Sequence, residues 1–457
     1  MNFMKTILNM NDFGSEVTGQ NTPDPLRFAF SRKKSAHAGG MANMIPESDR
    51  ETQVLSALQN TQPTTAKRCL YVHIPFCRVR CTYCNFFQYA SSKSLIEDYF
   101  SALLVELKFK ASQPWTQAAP FQAVYIGGGT PTDLSPEQVR RLGQAIRNHF
   151  PLTTDCEITL EGRINRFSDE MFENALEGGF NRFSFGVQSF DTHVRRSAKR
   201  LDDREPVLKR IQQLSQVDAA PIVVDLLFGL PYQTLDVWQQ DLADFIESDA
   251  HGVDLYQLIE MGGTPMKGLV EKGRLPEPAN TSEKASMFEY GVDFMAKHHL
   301  RRLSVNHWAR DNRERSIYNS LAKTSAEVLP LGCGAGGNVG GLGIMQHRTL
   351  SAYIESIKQE QMPLAMVTQQ APKTALFAFI KASFDKGVLA KRALQKESQL
   401  DLFSYCRPLF EAWQKNGLVH CDDNYVSLTL AGQFWSVALA QAMIEVLQQS
   451  PAYKAAA

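Results

Sequence analysis

The chain has no surplus of either charge: 48 Lys and Arg face 48 Asp and Glu across 457 residues. It therefore lacks the basic stripe of a nucleic-acid binder, and a polynucleotide substrate is not expected. A few local Arg residues suffice to meet an anionic small molecule. Long hydrophobic runs are missing too. No apolar stretch approaches the roughly 18–20 residues that a membrane span needs, and residues 1–60 hold no basic segment followed by an apolar one. Neither a membrane span nor a secretory leader is expected, so the chain reads as cytoplasmic. Cysteine is scarce and uneven. Of eight, Cys77, Cys81 and Cys84 crowd together, while Cys69, Cys156, Cys333, Cys406 and Cys421 are scattered. In a reducing compartment such a cluster points to a metal site rather than a disulfide framework. A second C-x2-C pair, which zinc sites usually supply, is absent; only His73 is at hand as a fourth zinc ligand.

What is present is enough sequence for a large catalytic domain and a smaller one. Residues 1–66 form a polar extension, rich in Ser, Thr, Asn and Gln, with a basic patch at Arg32-Lys33-Lys34 leading into Ser35-Ala36-His37. Its composition reads as a flexible tail or as a segment that closes over a ligand. From Cys69 the pattern changes. Short β-branched runs (Cys69–Ile74, Ala123–Ile126, Glu157–Leu160, Arg182–Val187, Ile222–Phe228, Val253–Ile259) alternate with amphipathic stretches such as Ser94–Lys110, Ser135–Phe150, Ser168–Glu177 and Leu235–Ser248. Ser135 and Ser168 stand as helix caps. Six strand–helix alternations predict an α/β fold over residues 67–262, with parallel strands and outer helices, as a doubly wound sheet or a full or partial barrel. Residues 263–372 are less regular and carry a Gly-rich run at Gly332–Gly343; they are read as a substrate-contacting region. Residues 373–457 read as a helical, winged-helix-like cap with a hairpin at Leu418–Leu428 and a last helix over Ala431–Leu447.

Nearly every strand ends in chemically pointed residues: His-Ile-Pro-Phe-Cys, Gly-Gly-Gly-Thr-Pro, Glu-Gly-Arg, Gln-Ser-Phe and Gly-Leu-Pro. In parallel α/β folds the C-terminal rim of the strands is where sites are built, so these motifs should converge. The array Cys77-x3-Cys81-x2-Cys84 offers three thiolates. A cubane cluster takes one ligand per iron, so three thiolates leave one iron open to a chelating substrate.

That array after Tyr71-Val72-His73-Ile74-Pro75-Phe76 resembles the radical S-adenosylmethionine (SAM) superfamily, in its coproporphyrinogen-dehydrogenase-like branch. The resemblance runs motif by motif from Tyr71 to about Pro231, and more loosely beyond. It implies a partial (β/α)6 barrel of the TIM type and a [4Fe–4S] cluster on Cys77, Cys81 and Cys84. It places Tyr71, Tyr83, the backbone of Gly128, Gly129 and Thr130, and Glu161 at the SAM bound to the cluster. The family commonly has Ala-Asn-Pro after this Glu, where the chain has Gly162-Arg163-Ile164. A second SAM is implied, with Gln188, Arg200 and Asp225 as its contacts and as catalytic residues. A carboxylate at Asp225, in an otherwise apolar strand, is costly unless paired, which argues separately for a ligand.

Within this branch three activities compete: oxygen-independent coproporphyrinogen III dehydrogenase, haem chaperone, and the haem-utilisation enzymes of anaerobilin-synthase type. The dehydrogenase carries a further Cys where this chain has Phe86, and the chaperone's His-Asn-x-x-Tyr-Trp element is replaced by Asn306-His307-Trp308. The Gly run, the Arg-Lys-Lys-Ser-Ala-His sequence and the long N-terminus are most similar to the haem-utilisation enzymes. The resemblance then implies a radical SAM methyltransferase that opens haem without oxygen to a linear tetrapyrrole (anaerobilin), with iron release. It implies an electron donor (a flavodoxin, a ferredoxin or a reduced nicotinamide system) and leaves room for a carrier of the tetrapyrrole or iron. His37, His73, His307 and His347 are candidate iron ligands or structural histidines. Arg310, Arg313 and Arg315 are candidate propionate contacts or a solvated loop.

Overall fold

A computed structural model describes residues 8–10, 13–33, 42–62, 66–86, 89–371 and 373–449. The central body is six strand–helix units in chain order: β1 (Arg68–Ile74), α1 (Lys93–Ala111), β2 (Phe121–Gly128), α2 (Pro136–His149), β3 (Leu152–Gly162), α3 (Asp169–Gly178), β4 (Arg182–Gln188), α4 (Arg204–Val217), β5 (Ile222–Phe228), α5 (Leu235–Glu247), β6 (Gly252–Gln257) and α6 (Thr281–Lys297). Strands β1 to β6 are parallel and adjacent in sequence order, as short crossover connections require.

Alternation sorts the side chains. Leu70, Val72 and Ile74 turn to the apolar core under the helices, whereas Tyr71 and His73 share the inner face, their side chains bonded to each other. In β1 and β5 a single position, Tyr71 or Asp225, escapes full burial, in a strand otherwise sealed on both sides. The lumen is thus lined with polar groups and open at that level.

The helices start where the sequence says they should. Ser135 and Gln138 form a reciprocal capping box on α2, and Ser168 accepts from the Met171 amide on α3, caps worth about 1 kcal/mol each. Helix α4 and the strands between α6 and the C-terminal hairpin went unread in the sequence, although Val207, Leu208, Ile211 and Leu214 bury one face of α4 at helical spacing.

The barrel stays open. Beyond β6 the short antiparallel strand β7 (His307–Ala309) continues the sheet, and β8 (Glu327–Leu331) returns to pair in parallel with β1. Strands β9 (Gly336–Val339), β10 (Leu342–Gln346) and β11 (Leu364–Gln370) extend that side as an antiparallel meander, edged by Ala42–Met44. The Gly-rich run is the loop that leaves β8 followed by a hairpin: Gly340 and Gly341 both have positive φ at its turn, which suits a two-residue connection.

The C-terminal module sets a three-stranded sheet (Val388–Ala390, Tyr425–Leu428, Val419–Cys421) among helices that include Arg407–Lys415 and Ser436–Gln449. The last helix is broken at Trp435, whose indole N–H donates to the carbonyls of Pro25 and Leu26. That contact corrects the flexible-tail reading of the N-terminal extension for residues 13–33. Val17, Leu26, Ala29 and Phe30 are buried, and Trp413 and Asn416 donate to the Val17, Thr18 and Gly19 carbonyls. A few apolar residues in a polar segment are enough when a second domain presents tryptophans to receive them. His37, with the Lys34–Gly40 stretch, lies outside the described residues.

Candidate cofactor and substrate site

The loop leaving β1 carries Cys77, Cys81 and Cys84 over the C-terminal rim. Cys77 and Cys81 are buried and Cys84 is half-buried. The Thr130 hydroxyl lies 3.2 Å from Cys77 Sγ, and Arg163 Nη2 donates to Cys81 Sγ at 3.2 Å and to the Val79 carbonyl at 2.8 Å. Burial pushes the Cys77 thiol up to about 11. It pushes Cys81 the same way, but there the Arg200 and Arg163 guanidiniums win and hold the thiol below its ordinary value. Arg163 is the residue the sequence reading missed; its signal was the departure from Ala-Asn-Pro after Glu161. Among the described residues no three metal-binding side chains are already drawn to one point. Three thiols on one loop, sheathed by two fixed cations, nonetheless have the donor chemistry of a thiolate-held cluster, whose net charge is negative.

The other predicted residues gather beside this loop, with one exception. Arg200 donates to the Gly186 carbonyl at 2.7 Å and to the Tyr83 hydroxyl at 2.9 Å. Gln188 sits at a bulge of β4 with φ 72°, its amide folded back over Gly186, which is the register partner of Asp225. Gln188, Arg200, Tyr83 and Asp225 therefore meet around one glycine. Glu161, at the end of β3, accepts from the Gly128 amide and from Tyr125. Gly128 has φ 117° and lies so close to the His73 ring that a Cβ would stand 2.8 Å from it; only glycine fits there. The Gly129 amide is engaged by the Ile74 carbonyl, and Thr130 turns to Cys77, so the triplet splices the second strand onto the cysteine loop. Tyr71 is the exception. Its ring stacks in a column with Tyr125 and Tyr318 further down the lumen.

Two carboxylates at this mouth lack a full counter-charge. Burial pushes Glu161 up to about 7, against the pull of the Gly128 amide, Tyr125 and Arg200. Burial, then Asp254 and Glu161, push Asp225 up to about 8, with the Ser184 hydroxyl as its hydrogen-bond donor.

The floor of the barrel is the opposite case. Arg182 pairs with Glu314 at 2.9 Å, His307 Nδ1 with Asp254 at 2.8 Å, and His307 Nε2 with Glu314 at 3.0 Å. Burial works against the imidazolium, but the two carboxylates prevail and raise His307 to about 9. With a carboxylate beside each ring nitrogen and the side chain buried, His307 takes the structural one of its two readings, as a buried cation. His73 is also buried, with Nδ1 on the Tyr71 hydroxyl and burial lowering it to about 4. His347 stands near Arg50, on the N-terminal helix side. The three arginines likewise follow the loop reading rather than the propionate one. Arg310 donates to the Ala250 and Ile246 carbonyls, Arg313 pairs with Asp218, and Arg315 pairs with Asp155. Those partners precede or open β5, β6 and β3, so the arginines fasten a plug at the N-terminal end, away from the cysteines.

Around the mouth the surface turns apolar. Phe86 is 67% exposed, Met261 40% and Tyr256 39%, and the Asn85 amide touches the Met261 sulfur.

The radical SAM superfamily model matches residues 71–245. Anaerobilin synthase of Escherichia coli O157:H7 is 36% identical over 398 residues, covering 87% of this chain and 88% of that one. The heme chaperone HemW of Bacillus subtilis (strain 168) is 28% identical over 371 residues, 79% of this chain and 95% of that one. The solved structure of coproporphyrinogen III oxidase (HemN) from Escherichia coli superposes with a TM-score of 0.74 at 21% identity, covering 88% of this chain and 96% of that one, which is a likeness of fold. No helix among the described residues is long and apolar enough to cross a membrane.

Proposed function

Because the chain belongs to the radical SAM superfamily, in the branch that resembles coproporphyrinogen III oxidase, we propose that it is a methyltransferase that opens haem anaerobically to a linear tetrapyrrole, using two SAM molecules. The observation that carries the SAM part is the pair of uncompensated carboxylates, Glu161 and Asp225, on the barrel strands beside the cysteine loop. A buried carboxylate held partly neutral is relieved by a cationic ligand, and SAM brings an ammonium and a sulfonium.

Cys77, Cys81 and Cys84 would hold the [4Fe–4S] cluster, which when bound supplies the electron for reductive cleavage of SAM. The chain's own residues do the rest. Arg163 and Arg200 screen the thiolates, and Arg200 fixes the Tyr83 hydroxyl beside Cys81. Glu161 is held in place by Gly128 and Tyr125, ready to accept an ammonium at one site. Asp225, anchored by Ser184 and flanked by Gln188 across Gly186, would orient a second SAM. Such positioning replaces a bimolecular encounter with a fixed approach. Phe86, Met261 and Tyr256 offer an apolar ledge for a macrocycle at the same mouth and help to exclude water from it.

The haem part of the proposal rests on the likeness to anaerobilin synthase over most of both chains, together with this ledge and the Phe at position 86. The reaction also needs an outside reductant, of flavodoxin, ferredoxin or reduced-nicotinamide type, and a cytoplasmic setting suits eight free thiols. Incubation without air with haem, SAM and a reductant, read by mass spectrometry, tests the whole reading. Loss of the Soret band with a linear tetrapyrrole carrying one SAM-derived carbon is the expected result. Coproporphyrinogen consumption with carbon dioxide release, or haem returned unchanged, would overturn it.

A further inference from the structure

The basic run that begins at Arg32 has no place in the site described so far, yet the fold brings Lys33 to the rim. Residues 24–33 run along α6: Arg27 donates to Ser286 and pairs with Glu289 at 2.7 Å, and the Ser31 carbonyl accepts from Thr281. Lys33 Nζ then lies 4.2 Å from the centroid of the Phe434 ring. Among the described residues it has no carboxylate partner. Lys284, on the first turn of α6, is only 5% exposed. Its methylene stem fills the space beside Gly229, where a Cβ would come within 2.6 Å of it. Its ammonium reaches Glu260 Oε1 at 3.2 Å, a carboxylate that is itself mostly exposed.

Both ammonium groups thus belong to the start of α6, where Ser31 meets Thr281, and among the described residues the one carboxylate paired with either is the mostly exposed Glu260 on Lys284. Burial, then the charge of Lys284, lowers Lys33 to about 7. Like charges withdrawn from water are costly unless an anion joins them. The location says what kind of anion. Gly229 follows directly on β5, the strand of Asp225, and Glu260 neighbours Met261 on the apolar ledge of Phe86 and Tyr256. An apolar ledge bordered by two cations fits a ligand with a large flat apolar body and carboxylates on one edge.

We propose that Lys33 and Lys284 form a carboxylate-binding pair that seats a propionate of the tetrapyrrole at the barrel mouth. The proposal rests on the haem reading above. It gives the N-terminal extension a direct part in substrate choice, and it replaces the arginines 310, 313 and 315 in that role.

The test is anaerobic titration of the reconstituted full chain with haem and with haem dimethyl ester, followed at the Soret band. The wild type should prefer haem over the ester by about tenfold or more, the worth of one charge-assisted hydrogen bond. Lys284→Met and Lys33→Met, which keep an apolar stem and remove the ammonium, should lose most of that preference by weakening haem alone. Lys284→Arg should retain it. Variants that bind haem and ester with the wild-type ratio, or that weaken both equally, would overturn the pair. A wild type that binds and consumes neither ligand would instead bring down the haem reading, and the pair with it.

Discussion

Two charge networks in the barrel lumen hold similar residues in opposite states, and they adjoin where Asp254, the register partner of Asp225, pairs with His307. At the floor, Arg182, His307, Glu314 and Asp254 answer each other, and Glu157 accepts from the Ile317 and Tyr318 amides. Glu314 is held down to about 2 there: burial pushes it up, but Arg182 and His307 outweigh it. At the mouth, Glu161 and Asp225 are pushed up, to about 7 and about 8, because burial removes water and no comparable cation replaces it. A buried network that closes on itself is architecture. One left open is a site waiting for a ligand, as the clustering of perturbed carboxylates at functional sites would suggest.

The largest effect should come from the loop above the mouth. Cys77→Ala, Cys81→Ala or Cys84→Ala should each abolish SAM cleavage, because loss of one thiolate destabilises the cube. Cys156→Ala and Cys406→Ala, buried away from that loop, should leave deoxyadenosine formation intact in the same chromatographic assay. Next comes Asp225→Asn, which should uncouple the two SAM sites. Deoxyadenosine would still form, while methyl incorporation would fall by about 100-fold or more as the proximity of the acceptor is lost. Arg200→Ala is the less clean probe, since Arg200 also contacts Cys81 and Tyr83.

Breaking the floor should cost stability rather than chemistry. Glu314→Ala leaves Arg182 and His307 without a shared anion, a loss of about 3–5 kcal/mol for a buried network, readable by denaturant unfolding. The sign with pH follows from His307. Its folded value, about 9, is raised above the ordinary one, so its contribution is full below about 6.5 and is lost as pH rises through about 9. The mouth should behave in reverse towards its ligand. Because Glu161 and Asp225 must ionise to receive a cation, SAM affinity should rise, with proton release, as pH passes from about 6 to about 8. Calorimetry in buffers of different ionisation enthalpy reads this directly, and Asp225→Asn should flatten the upper part. The smallest effect belongs to the outside of the floor. Arg313→Ala and Arg315→Ala remove contacts to the exposed Asp218 and Asp155 and, for Arg313, to the His251 ring, all away from the mouth, and should change haem turnover by less than about twofold.

Much of this contrast was legible along the chain. The span Ile222–Phe228 is the same in pattern and in structure, and the other five barrel strands differ from their predicted bounds only at the ends, because a buried strand needs a β-branched run of that length. The cysteine spacing named the loop, and the strand-end motifs named most of its neighbours. Residue type without a place left two readings open. His307, a candidate iron ligand or structural histidine, takes the structural place, and Arg310, Arg313 and Arg315, candidate propionate contacts or a solvated loop, fasten the floor.

The sequence by itself determined the strand–helix alternation, the thiol triad and the presence of Glu161 and Asp225 in apolar strands, since each is a matter of local period or spacing. Only the tertiary structure decided which charges neutralise each other. Arg182 and Glu314 are 132 residues apart, and Arg27 and Glu289 are 262 apart. Electrostatic energy depends on distance and burial in space, and neither quantity is written in the order of the residues.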